Sequence, residues 1–353
     1  RDFDPVTLAC KGLLVEEQRA NLLLNSAAFD TASWTKEELN TSGTPAWVNV
    51  AIAPDGTQTA SKLLTTTANA NHRIYQSTSL TIGVVSTLSV YAKAAEYRYV
   101  GLLNSFPDGV AVFDLQTGVV SSTGANVTAT TITPVGNSWY RCTMTSATTA
   151  YQVKQIAVFN NGTQSGDVFT GVATSGLYIW GAQHEAGSFA TSYIPTGAAT
   201  ATRNADVASV STQAFPYSAT EGTVVANFQT IFTGAAPLSA WIVGADNSNS
   251  KRIMYMPATD DRVRSFDGST EIIATGDATG AITKSAAAFG QTDRALVTNG
   301  GTVATGAVAA GYGTASVATL GSSNSLSALN GHIRQITYLP RRISNADLVT
   351  RST

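Results

Sequence analysis

The chain has 353 residues, long for one compact unit at ~100–200 residues per domain, so two domains are expected. Charged residues make up 12% against a usual ~25%, while Ala, Gly, Ser and Thr abound, so surface polarity must come largely from hydroxyls and backbone, as in extracellular β proteins and virion parts. A formal charge of −2 without long blocks of one sign gives no electrostatic footprint for a phosphate backbone, which argues against nucleic-acid binding.

In chain order, the opening Arg1-Asp2-Phe3-Asp4-Pro5 carries neither an initiator Met nor a signal-peptide pattern and reads as a fragment or a processed form. No apolar run approaches the ~20 residues that span a bilayer, so membrane insertion is not expected. Leu13–Leu24 fits a helix or an extended strand entering a turn at Asn25-Ser26, and periodicity does not separate the two. From Ser86 to Ala92, Leu88, Val90 and Ala92 alternate with Thr87, Ser89 and Tyr91, the period of a half-buried strand. Short strands are then predicted at 97–103, 109–115, 118–122, 139–146 and 153–159, with a hairpin turning at Gly118. In LYIWGAQHEAGSFATSYIPT (177–196) the composition predicts a strand over 177–180, a turn over 181–188 and a second strand over 189–194, stopped by Pro195.

Small residues and threonines over 197–210 read as a linker or crossover. Beyond it, strands are predicted at 222–228, 238–243, 252–256, 262–266 and 269–274, with Asp267-Gly268 as a hairpin turn. A final strand covers 331–340, and Ser344 with Asp347 marks a short helix from Asn345 to about Thr350. Many short strands without helical periodicity mean an all-β chain of two β-sandwich domains closed by a short helix. The expected domains are 1–206 and 207–353.

Cys10 and Cys142 lie outside any metal or redox spacing, and the sequence leaves open whether they are paired. His72, His184 and His332 form no ligand pattern, and neither a GxSxG elbow nor a phosphate-binding Gly loop occurs. Asp55, Asp108, Asp114 and Asp267 read as turn formers. Asp246, Asp260 and Asp261, in polar loops, are the residues that could gather oxygen ligands around calcium. Sugar binding asks for aromatic faces beside amides and charged groups. Trp34, Trp47, Tyr75, Tyr97 and Tyr99 with Arg73 are the candidates, accompanied by Trp139, Asn104, Gln152 and Gln155. Packing in a sandwich interior is the alternative for any one ring. Trp139 and Trp180 are expected buried, and Trp34 and Tyr97 exposed.

Several segments in order resemble a carbohydrate-binding-module-like jelly roll: residues 12–36 (GLLVEEQRANLLLNSAAFDTASWTK), APDGTQTASKL (53–63), LSVYAKA (88–94), FDLQTG (113–118), GNSWYRC (136–142) and 177–196. Such modules occur in bacteriophage and prophage tail fibres. The second unit, ending HIRQITYLPRRISNADL, looks like a concanavalin A or laminin-G-like sandwich. The resemblance implies a non-enzymatic, receptor-binding, tail-fibre-type virion component that acts outside the cell. Its implied partners are a host cell-surface polysaccharide, other copies of itself in a homotrimer, and virion tail proteins. It assigns no binding residue. The alternatives are a decoration or connector protein using its sandwiches for protein contacts, and a polysaccharide depolymerase with two carboxylates about 5–10 Å apart.

Overall fold

A computed structural model describes residues 2–42, 46–105, 108–232, 240–244, 252–257, 259–278, 280–308, 314–323 and 327–353. It is all-β apart from one 3-10 turn at Thr212–Ala214 and the helix Asn345–Ser352. Ser344 caps that helix: its hydroxyl oxygen accepts from the Asp347 N–H at 3.1 Å, as the Ser344/Asp347 spacing predicts. The chain divides into two units, one formed by 5–7 and 19–203, the other by 1–4, 8–18 and 204–353.

The expectation that 1–206 forms one contiguous domain is corrected at its start. Strand Cys10–Val15 pairs with Gly331–Leu339, placing Leu13 opposite Ile333 and Val15 opposite Gly331. The Glu17 N–H also donates to Asn330 Oδ1, and Asn330 Nδ2 returns a bond to Glu17 Oε2, both at 2.8 Å. The opening segment is therefore a strand of the discontinuous unit rather than a helix. Nor is 197–210 a plain linker: Ala201–Arg203 pairs with Arg19–Asn21, and Ala208–Ser211 pairs with Val317–Leu320.

The continuous unit is a sandwich of two antiparallel sheets. One runs, in spatial order, Val119–Thr123, Gly109–Asp114, Tyr99–Ser105, Val153–Phe159, Asn69–Ser77 and Val168–Thr170, with Thr35–Glu37 also on Asn69–Ser77. The other runs Val127–Pro134, Tyr140–Ala147, Val85–Lys93, Gly176–Ala186 and Ser61–Leu64. Alternation sends Leu88, Val90 and Ala92 inward, where they meet Ile74, Val100, Leu102, Phe113, Ile156 and Val158. The other side of Val85–Lys93 is covered as well: Thr87 and Ser89 are buried, and Trp139, Trp180, Ala53 and Ala60 form a second apolar layer with Tyr91 and Tyr193.

The segment 177–196 departs from its prediction. Gly176–Ala186 is one strand with a bulge between Trp180 and Gln183, where Gly181 takes a φ of +60° that a side chain would strain. Residues 189–194 form no ladder, because buried side chains take their main-chain groups. Glu185 accepts from the Thr191 N–H and hydroxyl at 2.9 and 2.7 Å, Gln183 Oε1 accepts from the Ile194 N–H at 2.7 Å, and Asn21 Nδ2 donates to the Ile194 carbonyl at 2.9 Å.

One end of the same core is polar. Lys154 and Gln76 face each other across adjacent strands, and the register that sets Gln155 against Leu103 carries Asn104 beside Lys154. From the opposite sheet come His184, Ser86 and Ser146. Lys154, His184 and Asn104 are all buried, and Lys154 Nζ, His184 Nε2 and Asn104 Oδ1 have no hydrogen-bond partner among the described residues. Burial lowers the Lys154 amine to about 8. Burial and the Lys154 charge lower His184 to about 3.

The discontinuous unit pairs a seven-stranded sheet, running Asp2–Phe3, Cys10–Val15, Gly331–Leu339, Gly222–Thr230, Thr283–Phe289, Asp293–Thr298 and Ala304–Ala307, with a six-stranded one. The latter runs Ala208–Ser211, Val317–Leu320, Ala240–Gly244, Arg252–Met256, Arg264–Phe266 and Glu271–Ile273. Asp267-Gly268 turns the hairpin between the last two strands, and Asp267 Oδ1 accepts from the Ser269 and Thr270 N–H groups at 2.9 and 2.8 Å. Fully buried Arg294, on the seven-stranded sheet, reaches Thr270 Oγ1 at 2.6 Å and the Ser265 carbonyl at 3.3 Å on the six-stranded sheet. The predicted residues 238 and 239 lie outside the described ones. Cys10 and Cys142 are both free, the first exposed and the second buried with its thiol pushed far above the ordinary range.

Gly12 has φ +110°, and a Cβ there would stand 2.2 Å from the Ile333 carbonyl oxygen. Gly12→Ala is therefore expected to cost about 1–3 kcal/mol. Hydrogen exchange should speed up across Gly331–Leu339 and stay unchanged across Gly176–Ala186. Unfolded Lys154 keeps its proton to its ordinary 10.5, and folded Lys154 only to about 8. The unfolded state binds more protons between those values, so stability should rise by roughly 3 kcal/mol as pH climbs through that window. His184 takes its proton below 6.5 when unfolded and below about 3 when folded, so stability should fall as pH drops from 6.5 to 3. Denaturant titrations should show the alkaline rise gone in Lys154→Met and the acid loss flattened in His184→Gln.

Candidate binding face

Residues opposite one another on neighbouring strands share a face. On the outer side of the first sheet of the continuous unit, Thr35, Tyr75, Gln155 and Leu103 form one row, and Glu37, Arg73, Ala157 and Gly101 the next. Over Tyr99–Ser105 and Gly109–Asp114 this side is closed: Leu103, Val110, Val112, Ala157 and Phe159 are buried together. Loop 160–166 reaches toward it, with Gln164 Nε2 donating to the Thr123 carbonyl at 2.7 Å. Over Thr35–Glu37 and Asn69–Ser77 it is open, leaving Glu37, Arg73 and Tyr75 half-buried.

A chain of polar contacts fixes this open part. Arg73 donates to both Glu37 oxygens, Nε to Oε2 and Nη2 to Oε1, each at 3.0 Å. Its Nη1 donates to Gln155 Oε1 at 2.8 Å, and Gln155 Nε2 donates to the Tyr151 hydroxyl at 3.2 Å. A bidentate fork with a third bond holds the guanidinium plane in one orientation. Tyr151 is 46% exposed at the end of this chain. Burial pushes the Asp167 carboxyl above its ordinary range, against the opposing charge of Arg73 and a 2.6 Å bond from Asn71. Strands carry Tyr75, Gln155, Arg73 and Glu37, and the adjoining loops add Tyr151 and Asp167, so the arrangement offers aromatic rings, an amide, a guanidinium and carboxylates, the groups that hydrogen-bond and stack on sugars.

Of the sequence candidates, Arg73, Tyr75 and Gln155 come together here. Tyr99 shares the face beyond strand Val153–Phe159, with Arg98 over its ring at 4.8 Å. Arg98 is held in turn by Asp114, whose carboxyl burial would raise and whose bonds from Arg98 and Thr117 lower on balance. The expectation that Trp34 is exposed is corrected. It is buried, with its Nε1 donating to the Asn25 carbonyl at 3.0 Å and its ring tilted against Phe29, so the ring belongs to the core. Trp47 is also in the core. Tyr97 is half-buried against that core, beside Phe169. Asn104 lies inside the sandwich, and Gln152 Nε2 ties the Leu80 carbonyl at 2.9 Å. Trp139 and Trp180 are buried as expected.

Glu37, Tyr151 and Asp167 are participants that the sequence does not single out. Glu37 becomes visible only through a pairing with a residue 36 positions away. Among the calcium candidates, Asp246 lies outside the described residues and the Asp260 carboxylate is taken by Arg262 and Arg264. No group of three or more His, Cys, Asp or Glu residues that could hold a metal ion occurs among the described residues. No helix there is long and apolar enough to cross a membrane.

No protein-family model matches this chain, and no curated protein matches it. Among solved structures it is similar to the LG1-3 region of the laminin alpha2 chain, at 11% identity and a TM-score of 0.30, covering 78% of this chain and 66% of that one. It is also similar to domains LG4-5 of the mouse laminin alpha1 chain, at 10% identity and a TM-score of 0.27, covering 98% of this chain and 95% of that one. The sandwich architecture stands on the sheet pairings described above.

Because the Arg73–Glu37 pair is half-exposed, it contributes little to stability. Glu37→Gln should change the unfolding free energy by less than about 1 kcal/mol. Glu185→Ala, which strips acceptors from buried donors, should cost about 3 kcal/mol in the same denaturant titration.

Proposed function

We propose that this chain is a non-enzymatic glycan-binding protein of the tail-fibre type, which recognises a polysaccharide on a host cell surface. The observation that supports this reading most is the open face where Tyr75 and Tyr151 stand beside an Arg73 fixed by Glu37 and Gln155. Shallow faces of this kind bind single sugars weakly, so several copies in one particle, a homotrimer on a virion tail, would supply avidity. The ordered series of motifs that resembles a carbohydrate-binding-module-like jelly roll supports the same reading.

Purified chain applied to host envelope polysaccharides should bind at least one. Arg73→Ala and Tyr75→Ala should each weaken that binding tenfold or more, about 1.4 kcal/mol. Binding by neither the wild type nor a trimerised form would sink the proposal. So would release of reducing ends that disappears in Glu37→Gln or Asp167→Asn, since that result would make the same face a depolymerase site.

A further inference from the structure

The seven-stranded sheet of the discontinuous unit carries a groove that the Arg73 face does not involve. Helix Asn345–Ser352 covers part of the sheet, with Leu348 packed among Ala286, Ala288, Ala295 and Val297. Beside the helix lies a groove of about 250 Å³, lined by Val225, Asn227, Lys284, Gln335, Thr337 and the helix residues Thr350 and Arg351. Strand register explains the lining. Gln335, Asn227 and Lys284 form one cross-strand row, and Thr337 and Val225 share the next.

Three properties of this lining point to one ligand chemistry. Its ionisable residues are both cations, Lys284 and Arg351, in a chain whose formal charge is −2. Lys284 Nζ is held against the helix end by the Thr353 main-chain oxygen at 3.0 Å, while the guanidinium of exposed Arg351 makes no hydrogen bond or ion pair among the described residues. Asn227 Oδ1 is buried beneath the groove and has no donor among the described residues, an acceptor that a hydroxyl would satisfy once the Asn227 amide turns toward the groove. Gln335 Nε2 reaches Thr337 Oγ1 at 3.4 Å, leaving the Gln335 carbonyl and the Thr337 hydroxyl hydrogen available, and Val225 supplies an apolar patch between them.

We propose that this groove binds a carboxylated sugar unit, a hexuronic acid within an acidic polysaccharide. A ring hydroxyl donates to Asn227 Oδ1, the C–H face rests on Val225, and the carboxylate meets Arg351. The assignment stands apart from the Arg73 face and does not depend on it.

The test titrates the full chain with a short hexuronate oligosaccharide and with its carboxyl-reduced counterpart, followed by saturation-transfer NMR and calorimetry. The uronate should bind at least tenfold more tightly than the reduced form, with an advantage that shrinks as salt rises. Arg351→Gln, on an exposed site, should erase that difference. Asn227→Ala should weaken both ligands, and Arg262→Gln, at an exposed cation outside the groove lining, should leave both unchanged. Equal binding of the two forms, binding by neither, or a loss in Arg73→Ala with none in Arg351→Gln would each overturn the proposal. The last outcome would move acidic-sugar binding to the Arg73 face, and failure of the Arg73 face in its own test would leave the groove untouched.

Discussion

Three buried side chains, Asn21, Gln183 and Glu185, hold the continuous unit in the form described. They take up main-chain groups of 191–194 that no neighbouring strand pairs. A buried N–H or carbonyl left without a partner is costly, so this irregular segment can cover a sheet only where side chains replace the ladder. Because it does, Tyr193 can pack on Trp180 and Tyr91, and the second sheet is covered on both faces. The outer side of the other sheet is left to carry Arg73, Tyr75 and Tyr151.

A chain with so little charge places several of its charged groups inside. Lys154 and His184 sit at one end of a core, and Arg294 and Asp267 are fully buried in the other unit. Their roles differ. Arg294 spans two sheets and bonds to both Ser265 and Thr270, which fixes one packing of the sandwich. Lys154 has no such partner, and its burial works against stability as long as it keeps its proton.

Local alternation made most of the strands legible. Val153–Phe159 and Arg252–Met256 begin and end where the sequence pattern places them, and the turns at Gly118 and Asp267-Gly268 follow from residue types that favour them. What alternation does not encode is the distant partner. Residues 189–194 look like a strand because their composition is right, yet Gln183 and Glu185 offer bonds that a ladder would otherwise supply. Trp34 sits among polar neighbours and looks exposed, but the Asn25 carbonyl satisfies its N–H and lets the ring go inside. Arg73 and Gln155 could be named from residue type alone. Their connection through Glu37 and Tyr151 exists only once three stretches of chain have been brought side by side.

The strand Cys10–Val15 has a consequence for the order of assembly. It is made early, yet its place in the sheet exists only after Gly331–Leu339 has been made, and Glu17 and Asn330 meet across 313 positions. Residues 19–203 therefore form an insertion that can fold while the two ends of the other sheet wait for each other, and its compactness shortens the loop they must close. Until then the edge of Gly331–Leu339 is open to the same strand from another copy. Crowded synthesis would favour exchange of that strand between chains, a route to linked molecules that needs no new contact surface.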